Sequence, residues 1–576
     1  MQGSRGIDTP RTGLYSSSST HVRCAPSFRT VRGPSAIILE RGMPMPKQVL
    51  LGDEAVALGA VHAGLSAAYS YPGTPASEIM EYLLSLAEKE GGFKATWSVN
   101  EKVAYEESLG VSFAGKRALV SFKHVGLNVA ADPFMNSAMT GANGGLVVVS
   151  ADDPGMHSSQ NEQDSRFYAQ FARIFCYEPS DHQECYDMAR DAFDVSEKLG
   201  LPVLIRLVTR LSHSRSSVET RDARRQNGLS PGDWKDWTLL PANARRRFNL
   251  LIGRQAEMLR LSEESAANTL SLNDKDRRLG VIASGIAANY FREAATTGAL
   301  APSFLKISTY PLPEKLVRAL VGHVDTVLVL EDSYPLIEKE LKGFFGIPGK
   351  TVLGRMSGAV PSSGELSPDI VRQALGLAPL AAQGPADIPL ASRPPQLCVG
   401  CPHADTLKAL NKAREGYSQS SVFSDIGCYT LGALPPYSAI QSCVCMGASV
   451  SMARGASDVG IRPAVAVIGD STFAHSGMTP LLGAAAADTD MTVIILDNAT
   501  VAMTGGQPSY GSGERLLRIV EGVGVPKEHI RTIEPLPKNH DKNVQVIKEE
   551  LDHRGLSVIV AVRECIQQPR KKGARA

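Results

Sequence analysis

Two dipeptides, Gly469-Asp470 and Asp497-Asn498, lie just under thirty residues apart within the stretch 463–510, each directly after an apolar run, 464–468 and 492–496. The runs read as buried strands, and the Ala-rich segment between them suits a crossover helix. A right-handed crossover brings the carboxyl ends of both strands to one edge of a parallel sheet, where open α/β folds bind ligands. The unit therefore gathers a carboxylate, an amide oxygen and exposed backbone carbonyls at one point. That donor set suits a hard cation that also holds phosphate oxygens. Either dipeptide alone reads equally well as a strand-end turn.

A second group of reactive side chains is sulfur. Cys398-Val-Gly-Cys401-Pro402-His403 opens the last part of the chain, Cys428 follows Ile426-Gly427, Cys443 and Cys445 precede Met446, and Cys565 comes after the final apolar run, 557–562. A C-x-x-C pair is at home in zinc, redox and iron-sulfur sites alike. From the residues themselves, a Zn²⁺ held by Cys398, Cys401, His403 and one further ligand, unligated buried thiols, and a polynuclear cluster all stay open.

These groups need elements to position them. From 48 the chain runs through Leu50-Leu51-Gly52-Asp53-Glu54 into an Ala-rich helix, a short strand at 67–71 and the rigid turn Pro72-Gly73-Thr74-Pro75, which can present Thr74 to a ligand. Glu101 opens the next helix, and 119–122 and 146–149 read as further strands. Alternation of this kind predicts an α/β fold with doubly wound parallel sheets. Residues 216–278, rich in Arg, Glu and Asn, read as a partly helical connector. Strands are expected again at 280–284, 304–307 and 326–330, with a helical segment around 314–320, and the Pro, Ser, Gly and Ala of 361–394 read as the linker to the last domain.

Gly-Asp, the spacer and Asn together resemble the diphosphate signature of thiamine diphosphate enzymes, and Met503-Thr504-Gly505-Gly506-Gln507 resembles their 2-oxoacid:ferredoxin oxidoreductase branch. Long stretches are similar to the indolepyruvate ferredoxin oxidoreductase α-subunit family: YPGTPASEI (71–79), WSVNEKVA (97–104), VGLNVAADP (125–133), GGLVVVSADDPGMHSSQNEQDSR (144–166) and LPVLIRLVTRLSHSR (201–215). The resemblance implies seven parts: an N-terminal arm, 1–45; a pyrimidine-binding (Pyr) domain, 46–215; the connector, 216–278; a transketolase C-terminal-like domain, 279–375; a linker, 376–394; a diphosphate-binding (PP) domain, 395–568; and a basic tail, 569–576.

It also implies roles. Asp470, the Asn498 side chain and the Thr500 main-chain oxygen would hold Mg²⁺, with Gly469, Ser471, Met503 and Thr504 also on the cofactor. Glu101 would meet the aminopyrimidine nitrogen, where a carboxylate bond strengthens as the ring gains a proton. A first-turn Glu complementing its helix dipole explains the position as well. Thr74 would contact the oxoacid. Cys398, Cys401, Cys428 and Cys565 map onto ligands of a [4Fe-4S] cluster, for which soft thiolates are suited.

Lys123-His124 stands where this family more often shows Lys-Gln, and Met503 stands where pyruvate-specific relatives place Asn. An apolar, flexible residue there suits an aromatic substrate.

The implied activity is oxidative decarboxylation of an arylpyruvate such as indolepyruvate to an aryl-acetyl-CoA. Electrons would pass to ferredoxin or a similar acceptor, with a smaller β-subunit as partner in a hetero-oligomer. Relatives often continue into a ferredoxin-like domain, whereas this sequence runs eleven residues past Cys565 without a C-x-x-C-x-x-C run. Electrons would then leave by a separate ferredoxin-like subunit or another acceptor. The rivals are a non-oxidative thiamine diphosphate decarboxylase and a catalytically silent binding scaffold.

Composition fits this frame. Across 576 residues, Lys plus Arg number 60 against 59 for Asp plus Glu, which advertises neither nucleic acid nor an anionic membrane as partner. No apolar run reaches transmembrane length. Nine scattered cysteines favour a reducing, cytoplasmic setting over a disulfide scaffold. The acid-poor, Arg- and Ser-rich first 43 residues resemble a transit peptide, and they read equally as a disordered tail or as sequence upstream of a start at Met43 or Met45.

Overall fold

The computed structural model describes residues 47–568 apart from 238, 240, 344, 345, 362, 363, 381–395, 419, 444, 445 and 459. The N-terminal arm, the basic tail and the predicted linker beyond 380 lie outside the described residues.

Three sheets carry the molecule. The first is seven-stranded, in the order Thr309–Tyr310, Phe175–Tyr177, Val203–Val208, Leu146–Asp152, Ala118–Lys123, Ala67–Ser70, Lys94–Trp97. Every neighbouring pair is parallel except the first. Its three central strands are buried along their whole length, because helices cover both faces. That double cover is why they read as unbroken apolar runs rather than as alternating ones.

The second sheet holds the expected strands Leu279–Ser284, Ser303–Ile307 and Thr326–Leu330, extended by Thr351–Leu353 and by the antiparallel Thr269–Ser271. The third is six-stranded and all parallel, with Ala464–Gly469 beside Met491–Asp497 at its centre.

The connector is more than a link between domains. Arg215–Glu219 pairs with Lys47–Leu51, Thr269–Ser271 joins the second sheet, and the helix Pro241–Glu263 buries Leu251 and Met258 in the apolar core shared by the first and second sheets. Thr309–Tyr310, from the middle region, completes the first sheet.

Those two sheets are also tied by charge. Arg206 donates to Asp152 at 2.6 Å and also reaches Glu178; Arg166 donates to Asp164 at 2.9 Å and pairs with Glu331 at 3.0 Å. All of these side chains are buried. Asp152, Asp164 and Arg166 all belong to the stretch 144–166, so part of that motif is architecture rather than chemistry.

The crossover after Ala464–Gly469 departs from a uniform helix. A short turn, Asp470–Thr472, passes into one π-helical turn, Phe473–Gly477, before the Ala-rich helix Met478–Ala486 begins. Such turns commonly mark functional positions, and this one carries His475. No helix among the described residues is long and apolar enough to cross a membrane.

Candidate active site

The carboxyl edges of the first and third sheets face each other across a cavity of about 440 Å³. Thr74, Glu101 and Lys123 line it from the first domain. Gly469, Asp470, Ser471, Asn498, Thr500, Met503 and Thr504 line it from the last. Every residue predicted for catalysis or for thiamine diphosphate and its Mg²⁺ therefore opens onto one space within a single chain.

Glu101 is the first residue of helix Glu101–Phe113, whose start is fixed by Asn100: its side chain accepts from the Val103 amide at 2.8 Å. The Asn100 amide nitrogen donates in turn to the His475 carbonyl at 3.1 Å, which ties the helix end to the π turn of the other domain. Glu101 is buried, and its Oε2 lies 2.6 Å from His475 Nε2. The His475 ring packs edge-on to Tyr71, with centroids 4.7 Å apart, and its Nδ1 meets Ser476 Oγ at 2.5 Å. Gly126 is required here: a Cβ would stand 2.7 Å from Glu101 Oε1.

At the other end, Asn498 has a defined orientation. Its Oδ1 accepts from the Thr500 amide at 3.1 Å, which leaves its Nδ2 to donate to His403 Nε2 at 3.1 Å. That bond needs a neutral imidazole, and burial supplies one by lowering the His403 pKa to about 4. Asp470 is buried with Oδ2 unpartnered; burial, then the neighbouring Asp497 charge, pushes its acid up to about 8. An orphaned carboxylate oxygen beside an oriented amide oxygen is the setting a bound cation would complete.

Lys123 is the one Lys or Arg among the cavity's lining residues. Its ammonium donates to the Ser158 carbonyl at 2.8 Å, and burial lowers its pKa to about 8 against the opposing pull of Asp153. Next to it, His124 is buried with Nε2 3.2 Å from the Asn161 carbonyl and does not line the cavity.

The four cysteines from three separate stretches converge. Cys428 lines the cavity, and burial, reinforced by Cys401, Cys565 and Cys398 nearby, raises its thiol to about 12. The Cys565 amide donates to the Asn498 carbonyl at 3.3 Å, so the sulfur group adjoins the diphosphate end of the cavity. The side chains of Cys443 and Cys445 lie outside the described residues.

Sequence reasoning missed His475, and it offered His403 only as a zinc ligand, whereas the imidazole turns toward Asn498. Nothing in the spacing of 470–477 signals a π turn. His403 follows a helix-starting Pro and could be read as a buried helix residue.

Residues 58–237 match the family described as pyruvate flavodoxin/ferredoxin oxidoreductase, thiamine diphosphate binding, and residues 425–561 match that described as thiamine pyrophosphate enzyme, C-terminal TPP binding domain. The chain thus carries two thiamine-diphosphate-binding domains, one on each side of the cavity. The indolepyruvate oxidoreductase subunit IorA of Archaeoglobus fulgidus is 39% identical over 90% of this chain and 86% of its own length. Its namesake in Methanothermobacter thermautotrophicus is 39% identical over 90% and 87%, and that of Pyrococcus horikoshii 34% over 92% and 88%. With such relatives matched along nine-tenths of its length, the chain belongs to the family of indolepyruvate oxidoreductase subunit IorA.

Proposed function

We propose that this chain is the thiamine-diphosphate-binding subunit of an enzyme that oxidatively decarboxylates arylpyruvates such as indolepyruvate to aryl-acetyl-CoA, with electrons passed to ferredoxin or a similar acceptor. The observation that carries this reading is the placement of Glu101 and the Asp470–Asn498 pair on opposite walls of one cavity, with four cysteines behind the second. Bound thiamine diphosphate supplies a nucleophilic carbon for the 2-oxo group and a sink for the electron pair released with CO₂.

The residues do the rest. Asp470, Asn498 Oδ1 and the Thr500 carbonyl hold Mg²⁺ and through it the diphosphate, while Gly469, Ser471 and Thr504 shape that end. Glu101 moves a proton at the aminopyrimidine nitrogen, and His475 fixes the carboxylate for it. Lys123 meets the substrate carboxylate, since a carboxylate entering a largely apolar space needs a cation. Thr74 faces the oxoacid, and the thioether of Met503, 60% exposed at the rim, offers an adaptable apolar contact for an aryl group.

Cys398, Cys401, Cys428 and Cys565 hold a [4Fe-4S] cluster. The four thiols come from three stretches and lie close enough to perturb one another's ionisation, a setting that suits a thiolate-bound iron-sulfur group. A smaller β-subunit completes the enzyme, as the subunit designation of the relatives suggests. Iron and acid-labile sulfide in anaerobically purified complex test the cluster: stoichiometric iron and sulfide support it, and one zinc per chain without sulfide overturns it.

A further inference from the structure

A second constellation lies outside the cavity. Asp53 in the first turn of helix Gly52–His62, Glu78 in the first turn of helix Ser77–Glu90 and His213 at the end of helix Thr209–His213 each offer one ligand atom, all within 4.8 Å of one another. None of the three lines the cofactor cavity.

The fold forces this meeting. Helix Gly52–His62 and segment 211–212 touch so closely that a Cβ on Gly52 would stand 2.2 Å from the Leu211 carbonyl. That contact brings Ser212 and His213 over the start of the helix.

Asp53 sets the cluster apart from a chance group of acids. It is completely buried, and what acts on it is the Ser212 hydroxyl and the charges of Glu78, His213 and Glu54, with no Lys or Arg among them. Glu78 Oε2 is also buried without a partner. Glu78 Oε1 lies 3.4 Å from His213 Nε2. Buried carboxylates left this way are costly unless a cation or a proton serves them.

Arg215, two residues beyond His213, is engaged by Glu54 at 3.1 Å. The nearby carboxylate of Asp153 is held by the Ser158 amide at 2.8 Å and the Ser159 hydroxyl at 2.6 Å. Glu78 and His213 are each about one-third exposed, which leaves a path for an ion and room for water to complete its coordination.

We propose that Asp53, Glu78 and His213 form a binding site for a divalent first-row cation of the Mn²⁺ to Zn²⁺ class, separate from the cofactor's Mg²⁺. One imidazole and two carboxylates are the mixed nitrogen and oxygen set those ions accept, whereas Mg²⁺ prefers oxygen alone. The ion would clamp three segments of the first domain, including the one that leads out of the YPGTPASEI turn.

The test uses Mn²⁺ as probe, titrated into the full complex free of thiamine diphosphate and counted by the EPR signal of unbound ion. Wild type and Asp470→Asn are expected to bind one equivalent with matching affinity. Asp53→Asn and His213→Gln should weaken that equivalent at least tenfold while retaining wild-type affinity for thiamine diphosphate. An equivalent that survives both substitutions overturns the proposal. So does wild-type protein that binds no Mn²⁺ beyond what Asp470→Asn removes, in which case the acids share a proton instead. Because the His213 ring is partly exposed, His213→Gln keeps the test decisive if Asp53→Asn fails to fold.

Discussion

His475 Nε2 lies 2.6 Å from Glu101 Oε2, joining a π turn of the last domain to the first residue of a helix in the first. The bond fixes the carboxylate proposed to act on the cofactor ring. Glu101→Gln, which keeps the shape and removes the base, is expected to lower kcat roughly 10²- to 10⁴-fold. His475→Gln should lower it less, by about 10- to 100-fold, as misplacement of a catalytic group does. Steady-state kinetics with indolepyruvate and CoA checks both; equal losses would mean that His475 itself transfers the proton.

As the proposed partner of the substrate carboxylate, Lys123 should give the reaction a pH limit. Its cation persists below about 8 and is lost as pH rises through that value, so KM for the arylpyruvate should climb above pH 8 while kcat changes little. Lys123→Ala should raise KM roughly 10- to 100-fold, the worth of one charged hydrogen bond, and flatten the profile. A pH series of KM for wild type and variant is the check.

Removing the proposed metal ligands should separate the cofactor's Mg²⁺ from the cluster. Asp470→Asn is expected to weaken thiamine diphosphate binding and its Mg²⁺ dependence while leaving iron content unchanged. Cys428→Ser should lose iron while retaining the cofactor. Titration of the cofactor alongside iron analysis reads both.

The buried Arg166–Asp164–Glu331 group predicts a stability effect away from chemistry. Arg166→Ala strands two buried carboxylates and should destabilise by about 3–5 kcal/mol. Arg215→Ala breaks a half-exposed pair and should cost under about 1 kcal/mol. Thermal unfolding of the two variants gives the comparison.

Much of this was legible in the sequence because the signals are local. The strands ending at Gly469 and Asp497 announce themselves as apolar runs closed by polar turns, and the helix opened by Glu101 follows an N-capping Asn. What stayed hidden depends on distant packing. The π turn that aims His475 follows from meeting the other domain, and no periodicity encodes it. Thr309–Tyr310 is too short to read as a strand and exists only because Phe175–Tyr177 offers an edge. Asp53 reads as a helix N-terminal acid, and only the fold shows it to be completely buried beside Glu78 and His213.

Oxidation of what the cavity decarboxylates is what separates it from a simple decarboxylase. Anaerobic complex given indolepyruvate, CoA and a low-potential dye should release CO₂ in step with two-electron dye reduction and form an aryl-acetyl-CoA, all lost in Glu101→Gln. Release of CO₂ with an aryl-acetaldehyde and no dye reduction would contradict the proposed oxidation.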